Sequence, residues 1–110
     1  MTTNTQPASH PHDAVVVDLL KADPDFANEY LAAALEEADE PGGQTALLAA
    51  LRHVVEAQGM AAVAERAGIP RESLYRALGP NGNPTIKTLL AVLGAAGLHL
   101  AVTRQDNAPA

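Results

Sequence analysis

The stretch MAAVAERAGIPRESLYRAL, residues 60–78, decides the fold, because it has the pattern of two short helices joined by a tight turn. Such a pair needs a small residue in the first helix so that the second can cross it closely, and Ala64 stands there. It needs a residue that tolerates a positive φ at the turn, which Gly68 supplies. It also needs an apolar anchor in the second helix, and Leu74 meets that demand. The spacing therefore predicts a helix-turn-helix whose second helix opens at Pro70.

Four side chains then fall on the outer face of that second helix: Arg71, Glu72, Tyr75 and Arg76. A helix in this position presents such side chains to the major groove of DNA, where an arginine bonds guanine or neutralises phosphate. Glu72 could accept from a cytosine amino group or simply match the helix dipole, and Tyr75 could contact the DNA backbone or close the core. Ser73 and Lys87 are weaker phosphate candidates. The alternative is a helical hairpin in an unrelated bundle, since a glycine between two amphipathic helices is common.

The composition fits one small helical domain. Of the 110 residues, 47% are hydrophobic, many of them alanine, and only 3% are aromatic, whereas strand-rich folds use more β-branched and aromatic residues. The absence of cysteine excludes disulfides, thiolate zinc sites and cysteine nucleophiles. The opening residues, MTTNTQPASHPHD, lack the apolar run of a signal peptide, and no apolar stretch approaches membrane-spanning length. We therefore expect a soluble intracellular protein.

The charge is unevenly distributed along the chain. The net charge is −6, but residues 1–40 carry one lysine against nine carboxylates, a net −8, and residues 41–110 carry six cations against four carboxylates, a net +2. An acidic segment followed by a mildly basic one indicates two different partners, one basic and one polyanionic. The alternative is that the acidic run is only a solvated face.

The first part of the chain is expected to be a flexible acidic segment over residues 1–22. Within it, DAVVVDLLK (13–21) is a short apolar patch, either a strand fragment or one turn of helix, because periodicity cannot decide so short a run. His10 and His12 lie close together, but no third ligand is near them. No metal or other cofactor is predicted.

The helix-turn-helix domain is expected to cover residues 23–103. A helix over 23–38 begins with an Asp–Pro cap, and a second over 45–57 braces the motif, with His53 on its polar side. A last helix over 84–96 is predicted to bury Ile86, Leu89, Leu90, Val92 and Leu93.

The chain is predicted to close with a short strand over residues 98–103 (LHLAVT), which would need a partner strand, followed by a loose tail over 104–110. Five helices, with the helix-turn-helix third and fourth, and one C-terminal β-strand make an all-α, repressor-like fold of the lambda-repressor type.

The segments GIPRESLYRAL (68–78) and GNPTIKTLLAVLGAAGLHLAV (82–102) resemble the helix-turn-helix antidotes, or antitoxins, of bacterial addiction modules. The preceding helices, EYLAAALEEAD (29–39) and ALLAALRHVVEAQGM (46–60), are similar to the same family. The resemblance implies a small cytoplasmic protein that neutralises a RelE-like toxin, a basic ribonuclease. It also implies a homodimer that binds double-stranded operator DNA and represses its own operon.

Two features depart from that family pattern. Pro70 stands where the family usually has serine, the N-cap of the reading helix, and losing that cap should cost about 1 kcal/mol unless Ile69 becomes the cap residue. The linker over residues 39–45, with Pro-Gly-Gly, is longer than the resemblance leads us to expect. A regulator that kept the fold and lost its toxin would show such a change.

Three other functions were weighed against the antitoxin. An enzyme is disfavoured, because Ser9 and Ser73 lie in a tail and on the reading helix, and no phosphate loop or metal motif is present. A stand-alone helix-turn-helix transcriptional regulator has the same residues on its reading helix. A protein-binding module with a decayed helix-turn-helix would account for the net acidity and for Pro70.

Overall fold

Six helices follow one another in the computed structural model, which describes residues 11–104. They are α1 (Pro11–Ala22), α2 (Phe26–Glu36), α3 (Gly43–Gln58), α4 (Met60–Ala67), α5 (Arg71–Ala77) and α6 (Ile86–Ala95). The all-helical class expected from the composition is confirmed over these residues, with one helix more than the predicted five. The loose tail predicted over 104–110 lies outside the described residues except for Arg104.

Helix α3 is the centre of the molecule. Its buried face carries Leu51, Val54 and Val55, which are almost fully enclosed. Helices α1 and α2 pack on α3, while α4, which follows α3 directly, packs against α5 and α6. The protein therefore has two halves, α1–α2 and α4–α6, joined through α3.

Helix α1 corrects the expectation of a flexible segment over residues 1–22. Val16 and Leu20, one helical turn apart, are buried in the core beneath this helix. Asp13 in the first turn and Lys21 in the last turn match the helix dipole. The apolar patch is therefore a full helix, because docking on α3 supplies the free energy that so short a segment lacks alone. Residues 1–10, including His10, lie outside the described residues.

Two helices begin later than predicted, α2 at Phe26 instead of Asp23 and α6 at Ile86 instead of Pro84. The predicted start at Asp23–Pro24 is a turn closed by the Phe26 N–H donating to the Asp23 carbonyl at 3.0 Å, and α2 follows it. At α6 the cap is Thr85, whose side-chain oxygen accepts from the Thr88 N–H at 3.1 Å. A threonine cap satisfies one of the open N–H groups of the first turn, which Asn83 does not.

The apolar face of α6 is narrower than predicted. Val92 and Leu93 are buried and Leu89 is partly buried, but Ile86 is 71% exposed and Leu90 is 49% exposed. Helix α6 packs mainly on α4. One neighbouring helix covers only part of the predicted stripe, so the prediction that Ile86 and Leu90 are buried is wrong.

The predicted C-terminal strand is also wrong for the described residues, since residues 98–103 form neither a strand nor a helix there. The N–H of Leu98 donates to the Leu93 carbonyl at 2.8 Å and closes the end of α6. Beyond Leu98 the segment finds no strand within residues 11–104 to pair with, and an unpaired strand is not stable by itself.

Within the described residues, no single helix has both the length and the apolar composition needed to cross a membrane. Only α3 and α4 taken together pass such a test, and they are bent by 102° at the break between them.

Candidate nucleic-acid interface

The turn between α4 and α5 lies where the sequence predicted it. Gly68 has φ 75°, in the left-handed region, which glycine adopts without a Cβ penalty. The N–H of Ile69 donates to the Ala64 carbonyl at 3.1 Å, the six-to-one hydrogen bond of a Schellman motif. The chain thus leaves α4 sharply and enters α5 after three residues.

Pro70 itself takes the N-cap position of α5, with φ −63° and ψ 144°. It has no side-chain cap bond, although its carbonyl accepts from the Leu74 N–H at 3.0 Å. The alternative in which Ile69 caps the helix is therefore not adopted, because α5 begins at Arg71. Leu74 and Leu78 are completely buried and anchor the helix from below.

The opposite face of α5 is open to solvent. Arg71, Glu72, Tyr75 and Arg76 are all exposed, Ser73 is partly buried, and Lys87 is exposed at the start of α6. Tyr75 lies between two shallow hollows of about 540 and 450 Å³, one toward Arg76 and the other toward Arg71. Within residues 11–104, Arg71, Arg76 and Lys87 make no salt bridge or side-chain hydrogen bond. Their charges are therefore available to a ligand.

The loop after α5 closes back on the helix. The N–H of Gly82 donates to the Gly79 carbonyl at 2.9 Å. A Cβ on Gly82 would overlap the Ala77 carbonyl oxygen at the end of α5, so only glycine fits there. Gly79, Pro80 and Asn81 then border the hollow beside Tyr75 and Arg76.

Arg52 on α3 holds the far end of α5. Its Nη1 donates to the Leu78 carbonyl at 2.9 Å, a charge-assisted bond to a helix C-terminus. The sequence reading did not single out Arg52, because a cation on a helix facing a distant carbonyl leaves no local pattern. This arginine positions the exposed face without being part of it.

Arg66 and Gln58 hold the C-terminal end of α6 in the same way that Arg52 holds that of α5. Arg66 Nε donates to the Ala95 carbonyl at 2.8 Å, and Gln58 Nε2 donates to the Ala96 carbonyl at 2.9 Å. Helix α6 has no basic residue in its own last turn, so Arg66 supplies the positive charge that the helix dipole favours. Arg52 and Arg66 are thus structural, whereas Arg71, Arg76 and Lys87 are exposed and open to a ligand.

A polar cluster lies away from this face, between α1, α2 and α3. The Tyr30 hydroxyl and His53 Nδ1 are 2.7 Å apart, and His53 Nε2 is 3.0 Å from Asp13 Oδ1, an ion-pair distance outside hydrogen-bond geometry. His53 is only 5% exposed, so its prediction as a residue of the polar side is wrong. Burial raises the pKa of the Tyr30 hydroxyl above its ordinary value, the Asp13 carboxylate raises it further, and the Arg52 guanidinium opposes the rise.

The fold and the exposed face define a small all-helical protein that displays a short helix bearing arginines. The family profile of probable addiction module antidote proteins matches residues 11–104, and the chain belongs to this family. The family resemblance predicted from the sequence is thus confirmed. An uncharacterized protein of Haemophilus influenzae is 43% identical over 56 residues, which cover 51% of this chain and 58% of the relative's length. No solved structure matches the chain.

Proposed function

We propose that this chain is the antitoxin of a type II toxin–antitoxin module, and that it binds operator DNA through α4 and α5 as a helix-turn-helix to repress its own transcription. The observation that carries the DNA-binding role is the pair Arg71 and Arg76, exposed on a helix that buried leucines and Arg52 hold in place. Membership in an antidote family supports the antitoxin role and favours a regulatory protein over an enzyme. The proposed toxin is RelE-like, as the sequence resemblance implies.

In this proposal α5 is the reading helix of a repressor-like domain of the lambda-repressor type and enters the major groove. Arg71 and Arg76 contact guanine edges or phosphates, and Tyr75 packs on the backbone between them. Glu72 accepts from a cytosine amino group or serves the dipole of α5. Ser73 and Lys87 contact phosphates only at the edge of the interface. Ser73 is half-buried, and Lys87 lies on α6 rather than on the reading helix.

Operator binding is proposed to need a homodimer. Few cations face the DNA in one copy, so a monomer would bind weakly, whereas two copies read half-sites one helical turn apart. The exposed stripe of Ile86 and Leu90 on α6 supports an interface between copies, because large apolar side chains on a helix face are stabilised when a second copy covers them. Gly94 continues this stripe with open space above it, which lets a second helix approach closely.

The experiment is a gel shift of the upstream DNA of the gene with the full chain and with the double variant R71A/R76A. A bidentate arginine–guanine pair contributes about 1–3 kcal/mol, so the double variant should lose well over tenfold in affinity. The matched control is K21A/R104A, which removes two exposed cations away from α5 and should lose much less. Full affinity in R71A/R76A, with an unchanged circular dichroism spectrum, would refute the DNA-binding role.

The antitoxin role is tested by co-purification with the product of the neighbouring gene. A stable complex with a small basic protein whose toxicity this chain suppresses supports the proposal. Operator binding without any such partner would instead identify a stand-alone transcriptional regulator, the alternative that the long linker over residues 39–45 favours.

A further inference from the structure

A groove runs between α2 and the C-terminal segment over residues 98–103. Its volume is about 360 Å³, and five of the residues that line it are leucines from three parts of the chain: Leu31, Leu35, Leu93, Leu98 and Leu100. Leu35 is 42% exposed and Leu100 is 43% exposed, so large apolar surfaces on both walls face solvent. Such a groove can take an apolar segment of a partner.

The C-terminal wall also offers unpaired backbone groups. The Leu98 N–H bonds to Leu93, but residues 99–104 make no backbone–backbone hydrogen bond within the part of the chain that the structure describes. Open donors and acceptors along an irregular segment can pair with an added strand. The groove therefore combines apolar walls with a polar edge that a peptide backbone can satisfy.

The surroundings of the groove are acidic. Glu36 lines it, and an adjacent hollow that shares Leu98 and His99 is lined by Asp25. Eight carboxylates are exposed between residues 18 and 40, with Lys21 as the one cation in that range: Asp18, Asp23, Asp25, Glu29, Glu36, Glu37, Asp39 and Glu40. A surface of one charge sign attracts the opposite sign and raises association rates.

We propose that this groove, which we call the α2 groove, binds a basic protein: an apolar segment flanked by lysine or arginine that lies along residues 98–103. The proposal rests on the proposed function and assigns the toxin to this surface. A second copy of this chain fits poorly, because a twofold interface here would set one acidic face against another. The sequence outside residues 11–104 fits poorly as well, since Met1 is its one large apolar residue.

The two proposed partners, the basic protein and the DNA, would bind different surfaces of the protein. The α2 groove is lined by α2, Leu93 of α6 and the end of the chain, whereas the proposed DNA-reading face lies on α5, which packs on α4. A basic partner in the α2 groove leaves Arg71 and Arg76 uncovered. No residue of α5 lines the α2 groove, so the two proposed partners would contact different residues.

The test uses the full chain with the neighbouring-gene product as the probe, and measures affinity by titration calorimetry. The variants L35R and L100R each place a cation on a groove wall, and should weaken the complex by about thirtyfold or more, as expected for a central interface residue. L19R is the matched control, because Leu19 is an exposed leucine on α1 that does not line the groove. L19R changes the net charge equally and should bind within about threefold of the unaltered chain.

A second pair of variants tests the charge. E36Q removes a carboxylate that lines the groove, and E65Q removes an exposed carboxylate on α4. E36Q should slow association with the basic partner several-fold at low salt, with the difference shrinking at high salt, while E65Q should have a smaller effect. Operator affinity measured on the same L35R and L100R preparations shows whether they remain folded.

Amide chemical shifts provide an independent map of the contact. Binding should shift the amides of α2 and of residues 98–103, and leave those of α5 near their original positions. A complex that forms equally well with L35R and L100R, or that shifts α5 instead, overturns the α2 groove and leaves the antitoxin role standing. Absence of any complex with the unaltered chain overturns both proposals.

Discussion

His53 Nε2 on α3 lies 3.0 Å from Asp13 Oδ1 in the first turn of α1. The Tyr30 hydroxyl lies 2.7 Å from His53 Nδ1, on the other side of the imidazole ring. This one imidazole therefore connects the first three helices. It explains how α1, whose sequence favours a helix only weakly, is held at its N-terminal end.

Removing the Asp13 carboxylate should loosen α1. In D13A the buried Nε2 of His53 loses the carboxylate oxygen beside it, and removing the polar neighbour of a buried polar group costs about 1–3 kcal/mol of the free energy of unfolding. Urea unfolding measures the loss, and hydrogen exchange should show it concentrated in the α1 amides. D18A is the control, because Asp18 is exposed on the same helix and its removal should change stability by less than about 0.5 kcal/mol. Equal stability of the two variants would contradict a stabilising role for the contact between Asp13 and His53.

The raised pKa of Tyr30 predicts a loss of stability at alkaline pH. The unfolded chain releases the tyrosine proton from about pH 10, while the native chain holds it to higher pH, so the native state binds more protons. Its stabilising contribution is fully present below pH 10 and is lost as the pH rises through the native pKa. Denaturant unfolding of Y30F between pH 9 and 11 should show a shallower decline than that of the unaltered chain.

A direct reading of the same pKa is available, because the chain has two tyrosines and no tryptophan. In Y75F, Tyr30 is the one tyrosine left, and absorbance near the phenolate band should titrate above the ordinary tyrosine value. Titration at or below that value would show that burial and Asp13 do not dominate over Arg52.

Arg52 should affect α5 without touching a ligand. R52M keeps the apolar stem of the side chain and removes the guanidinium that bonds to the Leu78 carbonyl, which should cost about 1–2 kcal/mol. Hydrogen exchange should rise first in the amides of α5, and operator affinity should fall several-fold as its arginines lose their fixed position. K21M removes an exposed cation on α1 and should leave α5 exchange unchanged. Equal α5 exchange in the two variants would remove Arg52 from this role.

The missing cap on α5 can be restored. Pro70 has the extended backbone of an N-cap residue but no side-chain acceptor, so P70S should let a hydroxyl accept from the first turn. Replacing proline by serine or by alanine also raises the conformational entropy of the unfolded chain. P70S is therefore compared with P70A and not with the unaltered chain. P70S should be more stable than P70A by about 1 kcal/mol in thermal or urea unfolding. If the two are equally stable, the first turn of α5 does not need a cap.

The boundaries of α4 and α5 could be predicted because local signals mark them. Gly68 ends α4 with a positive φ, and Pro70 stands just before α5, so both ends are encoded within a few residues. Helical phase then places Arg76 away from Leu74, and the structure has both Arg76 and Arg71, in the first turn, exposed. Their contact with DNA is a proposal that neither phase nor exposure tests.

The features that could not be predicted depend on distant partners. His53 is buried because Tyr30, on another helix, and Asp13, on a third, approach it. Helix α1 exists because α3 covers Val16 and Leu20, whereas residues 98–103 have strand-like composition and no strand to join. Tertiary packing decided all three cases, and composition and periodicity carry little information about it.

The acidic residues of α1 and α2 and the exposed arginines of α5 lie on different parts of the molecule, so its charge is distributed asymmetrically despite the overall negative value. Near a polyanion such a molecule experiences a torque that turns α5 toward the polyanion and the acidic helices away from it. Collisions with a nucleic acid are thereby biased toward one orientation before any contact forms. Whole-chain isoelectric point, about 5.0 here, is consequently a poor guide to what this small protein can approach.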